Sequence, residues 1–339
     1  MKGKKRFRIA LVGTDSLRGK EIKEVLSRRD IHFEEIDFFD PEVEEEYSKL
    51  TRFRGEPRII RHLDEDSLVG ADLVFLASEK KINRKYGSLA GQLKFQVIDL
   101  SETFNRDKNI PLAVAGINDE EVIKERPQII ANPHPVTIIL GHVFYSIQKE
   151  IGLSKAVAFI LQPVSAFEES GIEELANQSV DVLNSTSLSK KVFKAQIAFN
   201  LLSYIEPMDK NGFSPTERQI ITEIKRVLNS MVFPFSLAII QAPVFHTYSI
   251  MVYLELRKKA ETKALRELFK ASPYFQLSAP SVASPVSCAS VAGQDKIFID
   301  QIKRDSFLPS SFWVWVVADN LTRGSALNAM EIAKKIIQS

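Results

Sequence analysis

Residues 7–110 alternate short β-rich runs with stretches of helical spacing, and this rhythm constrains the fold more than any other feature of the chain. Phe7-Arg8-Ile9-Ala10-Leu11-Val12 is a strand-like run that stops at Gly13, and Lys20 to Arg28 then carries Ile22, Val25 and Leu26 on one helical face. Phe33 to Phe39, Ala71 to Ala77 and Phe95 to Leu100 are further strand runs. Strands separated by helices are joined by crossovers, which predicts an α/β fold with a parallel sheet covered by helices.

The texture changes near residue 155. Ala156 to Leu161 and His246 to Leu256 read as strands of a second sheet, with helical patterns at 171–183, 216–228 and 261–269. The first of these places Ile172, Leu175, Ala176 and Val180 on one face. The C-terminal stretch 324–337 is a helix with Ala326, Ala329, Ile332, Ala333 and Ile336 as its apolar stripe. Trp313 and Trp315 alternate with Val314 and Val316, so they read as strand core rather than as a stacking platform. Glu44 to Glu46 reads as a solvated turn or helix start. At 339 residues the chain has room for two domains.

Charge and cysteine content exclude several function classes. Lys plus Arg total 45 against 43 Asp plus Glu, a formal net charge of +2, without the field of a nucleic-acid or membrane-surface binder. Cys288 is the single cysteine, so neither an internal disulfide nor a multi-cysteine zinc site is expected, and no metal site is assigned. Lys2, Lys4, Lys5, Arg6 and Arg8 are followed only by Ile9 to Gly13, too short a run for an export signal, and no stretch has the length of a membrane span. A reduced, cytoplasmic setting is expected.

Two segments suggest chemistry. Gly13-Thr14-Asp15-Ser16-Leu17-Arg18-Gly19 sits where a dinucleotide phosphate loop would lie, but Ser16 stands at the middle glycine position and Asp15 brings an anion. An ordinary strand-to-helix turn explains the same residues. In Ala131-Asn132-Pro133-His134-Pro135-Val136-Thr137 a strand ends and a helix begins, with Pro135 suited to the first helical position. His134 reads either as an acid/base or ligand, or as a plain loop histidine.

Taken with Val97-Ile98-Asp99 to Phe104, Gln162-Pro163-Val164-Ser165, Gly171 to Gln178, Ala242-Pro243-Val244-Phe245, Gln301 to Asp305 and Ala318-Asp319-Asn320-Leu321 with Gly324-Ser325-Ala326, these segments resemble, in order, the aspartate-semialdehyde dehydrogenase family. The resemblance implies a Rossmann-like NAD(P)-binding domain over 1–131, completed by the C-terminal helix 324–339. It also implies a substrate and dimerisation domain of α/β type over 132–323. The family's biosynthetic enzymes reduce β-aspartyl phosphate with NADPH through an enzyme thioester, which needs a thiolate, a histidine and cations for carboxylate and phosphate.

At nearly every one of those positions the chain departs from the family. The nucleophilic cysteine falls on Pro135, which has neither a thiol nor an N–H. The catalytic histidine falls on Tyr248, and His246, two residues earlier in what reads as one strand, would lie about 6 to 7 Å away on the same face. The carboxylate-binding arginine falls on Gln241, the phosphate-contacting arginine on Asn105 beside Arg106, and a substrate lysine near Gln219. Ser165-Ala166-Phe167-Glu168 puts bulk and charge where the family has small residues. Asn132, Pro133, Gln162, Glu173, Asp319, Asn320 and Gly324 persist, and for most of them turn and cap roles are sufficient.

Asn132, His134, Pro135, Gln162, Gln241 and Tyr248 are therefore expected to line a vestigial pocket, with no catalytic residue assigned. Gly13, Thr14, Ser16, Leu17 and Gly19 form a degenerate cofactor turn; the resemblance implies NADP, whereas the residues themselves assign no cofactor. Cys288, the lone thiol, reads as a buried structural cysteine. The reading is a pseudoenzyme that works by binding or dimerisation, as a homodimer or in association with an active family member. The alternative is a divergent NAD(P)-dependent oxidoreductase that acts without a cysteine, through His134 or His246. No Ser–His–acid grouping supports a hydrolase or lyase.

Overall fold

The computed structural model describes residues 7–29, 31–44, 46–203, 205–229, 231, 233–278 and 285–338. Lys2, Lys4, Lys5, Arg6 and Glu45, named above, lie outside them. The chain forms two compact units, Met1–His134 with Ser325–Ser339, and Pro135–Gly324.

The first unit is built on strands β1 (Arg8–Val12), β2 (Glu35–Phe39), β3 (Lys49–Phe53), β4 (Glu56–Arg61), β5 (Leu73–Leu76), β6 (Gln96–Asp99) and β7 (Ile129–Ala131), in spatial order β3-β4-β2-β1-β5-β6-β7. All neighbours are parallel except β3 and β4. Helices α1 (Leu17–Arg28), α2 (Lys80–Gly87), α3 (Ala90–Leu93) and α4 (Asp119–Lys124) fall between strands. The apolar faces of α1 and of the C-terminal helix Leu327–Gln338 pack on one side of the sheet, with Ile22, Leu26, Ile332 and Ala333 buried against Leu11, Phe38 and Phe75. Val12, Val74, Leu76 and Val97 meet Tyr86 and Ala90 on the other side. This is the doubly covered sheet that the alternation predicts.

The β3–β4 hairpin was not legible. Its two strands are largely exposed, with only Phe53 and Ile60 buried, so no apolar alternation marks them. The turn is Arg54-Gly55, with φ of 52° and 81°, the left-handed pair that a two-residue hairpin turn requires.

In the second unit β8 (Leu153–Gln162), β9 (Phe235–Gln241), β10 (Tyr248–Leu256), β11 (Phe275–Leu277), β12 (Ile297–Arg304) and β13 (Ser311–Ala318) form a mixed sheet of order β11-β12-β13-β10-β8-β9. Helices α5 (Pro135–Glu150), α6 (Glu168–Leu183), α7 (Pro215–Leu228), α8 (Thr262–Ala271) and α9 (Cys288–Val291) accompany it. Helix α5 is buried along most of its length and packs against α7, α8 and β8. Ala158, Ile160, Ile250, Val252, Val314 and Val316 form the buried face of the three central strands.

Two expectations need correction here. Trp313 and Trp315 do lie in a strand, but on its half-buried face; the core residues are the intervening Phe312, Val314 and Val316. On α6 the buried residues are Gly171, Glu174, Leu175 and Gln178, while Ala176 is exposed and Val180 is 58% exposed. That buried face is polar because it binds backbone. Glu174 accepts the N–H groups of Lys191 and Val192, both at 2.7 Å, and of Phe193 at 3.1 Å. Gln178 accepts from Ile197 at 2.7 Å and donates to the Ser189 carbonyl at 2.5 Å. A strand-free stretch of chain is thus held by two side chains that hydropathy alone would assign to solvent.

Candidate functional site

In the first unit the turn after β1 is shaped by close backbone packing. Gly13 has φ of 83°, and a Cβ there would lie 2.5 Å from the Ser78 nitrogen; a Cβ on Gly19 would lie 1.9 Å from the Gly13 carbonyl oxygen. The two glycines therefore let β1, β5 and α1 meet, as the outer glycines of a dinucleotide turn do. Ser16, at the middle position, seals the turn. Its hydroxyl accepts the Gly19 N–H at 2.9 Å and lies 2.7 Å from the Ala77 carbonyl oxygen, so it caps α1 from within. Thr14 is buried, with its hydroxyl donating to the Phe39 carbonyl at 3.1 Å, and Leu17 opens α1 half-buried. Asp15 does bring a carboxylate to the turn, but one neutralised by Lys49 at 2.5 Å. That contact also raises the lysine above its ordinary range.

Asn132 and His134 are buried at the end of this unit. Asn132 is framework: its N–H donates to the Asp99 carbonyl at 2.9 Å, and its side-chain oxygen accepts from Asn328 of the C-terminal helix at 2.7 Å. Asn328 in turn holds Ala113 and Ala115 through their backbones. Nothing in the sequence reading singled out Asn328; a lone polar residue within an apolar stripe was its only signal. Asn105, at the phosphate-arginine position, is buried and donates to the Asn132 carbonyl at 3.3 Å, while Arg106 is exposed. Burial raises Asp99 above the ordinary carboxylate range, even though Ser101 and the Phe104 N–H donate to it.

In the second unit Gln162, Gln241 and Tyr248 come together at the ends of adjacent strands β8, β9 and β10. All three are at least nine-tenths buried. Tyr248 donates to the Gln162 side-chain oxygen at 3.3 Å, and the Gln162 amide donates to the Gln241 oxygen at 3.1 Å. Gln241 then donates to the backbone oxygens of Gln162 at 3.0 Å and Ala242 at 3.2 Å. The network is neutral and satisfies its own amides. The cavity beside Gln162 and Gln241 measures about 20 Å³, room for about one water. Pro135 is the first residue of α5, as its sequence context predicts. Gln219 is turned along its own helix toward Glu223 at 2.9 Å, and Glu223 also accepts from Thr137 at 2.7 Å.

His246 is not where strand spacing put it. β10 begins at Tyr248, and Thr247 between them has φ of 75°, so the chain turns sharply and the even-offset geometry does not apply. Thr247 is fully buried, its N–H donates to Asn320 at 3.0 Å, and its hydroxyl has no hydrogen-bond partner among the described residues. Asp319 and Asn320 act as scaffold, Asp319 accepting from Leu321, Thr322 and Gly293. Glu173, named as retained, is exposed; Glu174 is the buried acid. Cys288 is only half-buried, at the start of α9 and 3.2 Å from the Ser249 hydroxyl, so it is not a core cysteine. Phe167 packs on Phe193 within its own unit, ring centroids 5.2 Å apart. Among the described residues no group of three or more His, Cys, Asp or Glu side chains is placed to hold a metal ion, and no helix is long and apolar enough to cross a membrane.

Comparison with known proteins follows the two units. Residues 8–125 match the model of the semialdehyde dehydrogenase NAD binding domain, and residues 146–323 match that of the semialdehyde dehydrogenase dimerisation domain. Aspartate-semialdehyde dehydrogenase 2 of Vibrio cholerae is 26% identical over 98% of each chain. The enzyme of Rickettsia bellii is 27% identical over 99% of each. The crystal structure of aspartate semialdehyde dehydrogenase II from Vibrio cholerae superposes with a TM-score of 0.92, at 26% identity and 99% coverage of both chains. With family models covering both halves in order, the chain belongs to the semialdehyde dehydrogenase family.

Proposed function

We propose that this protein is a catalytically silent member of its family, acting by binding and self-association. The observation that carries the reading is the closed, neutral Gln162–Gln241–Tyr248 network. Where the family chemistry needs a guanidinium for the substrate carboxylate and an imidazole for proton transfer, this chain has an amide and a phenol, each already bonded to the Gln162 side chain. Pro135 adds to it. A cysteine opening α5 would have its thiolate favoured by the helix N-terminus, whereas proline supplies neither sulfur nor N–H. Asn105 and Gln219, each turned inward to a protein partner, complete the loss of cations.

The half-exposed sheet face of the second unit suits a second copy of the chain. Phe159, Met251 and Trp315 stand opposite one another across β8, β10 and β13, as do Val157, Tyr253 and Trp313. Phe159 is 47% exposed, and this patch lies in the segment matching a dimerisation domain. Purified protein is expected to sediment as a homodimer and to give no NADH or NADPH formation from aspartate semialdehyde and phosphate with either NAD or NADP. Phosphate-dependent turnover above a no-enzyme control would overturn silence; a wild-type monomer unaffected by Phe159→Glu would overturn the dimer.

A further inference from the structure

The resemblance implies a dinucleotide carrying a 2′-phosphate, and the end of β2 does not fit one. In a βαβ dinucleotide site the glycine turn after the first strand faces the pyrophosphate, while the end of the second strand reaches the adenosine ribose. An acid there receives a 2′-hydroxyl, and an arginine accommodates a 2′-phosphate. Asp40 is the residue after β2, and it is 4% exposed. Its carboxylate is fixed by two backbone donors, Asp15 N–H at 3.0 Å and Glu42 N–H at 3.1 Å, one to each oxygen. Each oxygen keeps a second lone pair for a hydroxyl donor.

Next to it Glu42, Val43, Glu44, Tyr47, Ser48 and Lys49 line an open cavity of about 400 Å³. Glu42 and Glu44 are exposed, and no arginine is among the lining residues. Lys49, the one cation of the lining, is paired with Asp15 at 2.5 Å. Lys23, the other lysine close to Asp15, is directed to the Thr51 hydroxyl and lowered below its ordinary range by burial. A phosphate dianion arriving here meets the exposed carboxylates of Glu42 and Glu44, with the lining lysine already paired to Asp15. A ribose hydroxyl meets an acceptor held in place.

We propose that this domain selects a dinucleotide with a free 2′-hydroxyl and rejects the 2′-phosphorylated form, taking NAD(H) over NADP(H). The proposal rests on the binding role above and names its ligand class. Its test is binding without turnover: titration of NADH and of NADPH into the full-length protein at low ionic strength, read by nicotinamide fluorescence or calorimetry. Wild type is expected to bind NADH about tenfold or more tightly than NADPH. The double variant Glu42→Arg with Glu44→Arg, both at exposed positions, is expected to tighten NADPH by about tenfold and to change NADH by less than about threefold. Equal affinities, tighter NADPH in wild type, a preference unmoved by the double variant, or no binding of either nucleotide at millimolar concentration would each overturn it. Catalytic silence fails on a different readout, since turnover alone decides that.

Discussion

Thr247→Gly is expected to stabilise the protein, an unusual direction for a fully buried position. Thr247 has φ of 75°, a region that a β-branched residue enters only under constraint, at a cost of about 1 to 3 kcal/mol. Its buried hydroxyl has no hydrogen-bond partner among the described residues, a further cost of about 1 to 3 kcal/mol. Against these, glycine loses the buried Cβ and methyl carbons, worth about 1.5 kcal/mol, and adds about 0.4 to 1 kcal/mol of unfolded-state entropy. The net gain expected is about 1 to 3 kcal/mol, the backbone staying fixed by the Thr247 N–H to Asn320 bond at 3.0 Å. Chemical denaturation followed by the fluorescence of Trp313 and Trp315, both in β13 of the same unit, reads it directly. Thr247→Val separates the two contributions. It keeps the branching and volume but removes the hydroxyl, and is expected to gain about 1 kcal/mol. A glycine variant with an unchanged or lower midpoint would refute the strain, and a valine variant that loses stability would refute the unsatisfied hydroxyl.

Three further outcomes are expected. Pro135→Cys alone should give no phosphate-dependent formation of NADH or NADPH with NAD or NADP supplied, because Gln241 and Tyr248 stay bonded to Gln162; measurable turnover with either would show the neutral network to be permissive. Glu174→Ala strips the acceptor from three backbone N–H groups and should cost about 2 to 4 kcal/mol, with fast hydrogen exchange and proteolytic nicking confined to residues 189–198. His142 is buried, stacked on Tyr274 at 4.0 Å, and held well below its ordinary 6.5 by burial first and the Arg323 charge second. Its folded-state pKa is therefore the lower one. The unfolded chain takes up a proton below about pH 6.5 that the native state refuses, so stability falls on acidification at up to about 1.4 kcal/mol per pH unit. His142→Phe should flatten the denaturation midpoint between pH 6.5 and 5, and an unchanged slope would exclude this residue.

What the sequence showed well were the elements whose periodicity reports their own burial. β1, β5 and β6 are buried on both faces, and the C-terminal helix buries one apolar stripe, so residue type alone announces them. It failed where burial serves backbone hydrogen bonding or where both faces are wet. α6 buries Glu174 and Gln178 because the 189–198 stretch has no strand to pair with and takes its partners from these side chains. The β3–β4 hairpin buries too little to be seen. Trp313 and Trp315 have the residue type of a core and the position of a surface, which side-chain alternation cannot distinguish when both faces are apolar.

The candidate site was legible as a set of departures from the family pattern, and the geometry adds how the residues present accommodate one another. Removing a charged partner from a buried site ordinarily leaves the other charge or amide unsatisfied, at a cost of about 3 to 5 kcal/mol. Here the replacements come as mutually bonding groups. Gln241 takes the amide of Gln162, and Gln162 takes the phenol of Tyr248. Thr247 beside it is different: its backbone holds φ of 75°, and its buried hydroxyl has no hydrogen-bond partner among the described residues. A strained backbone with an unsatisfied hydroxyl thus sits one residue before Tyr248, whose own network satisfies its amides. Asn320 dictates that backbone through the Thr247 N–H, so the strain is held by the scaffold rather than by the side chain at 247.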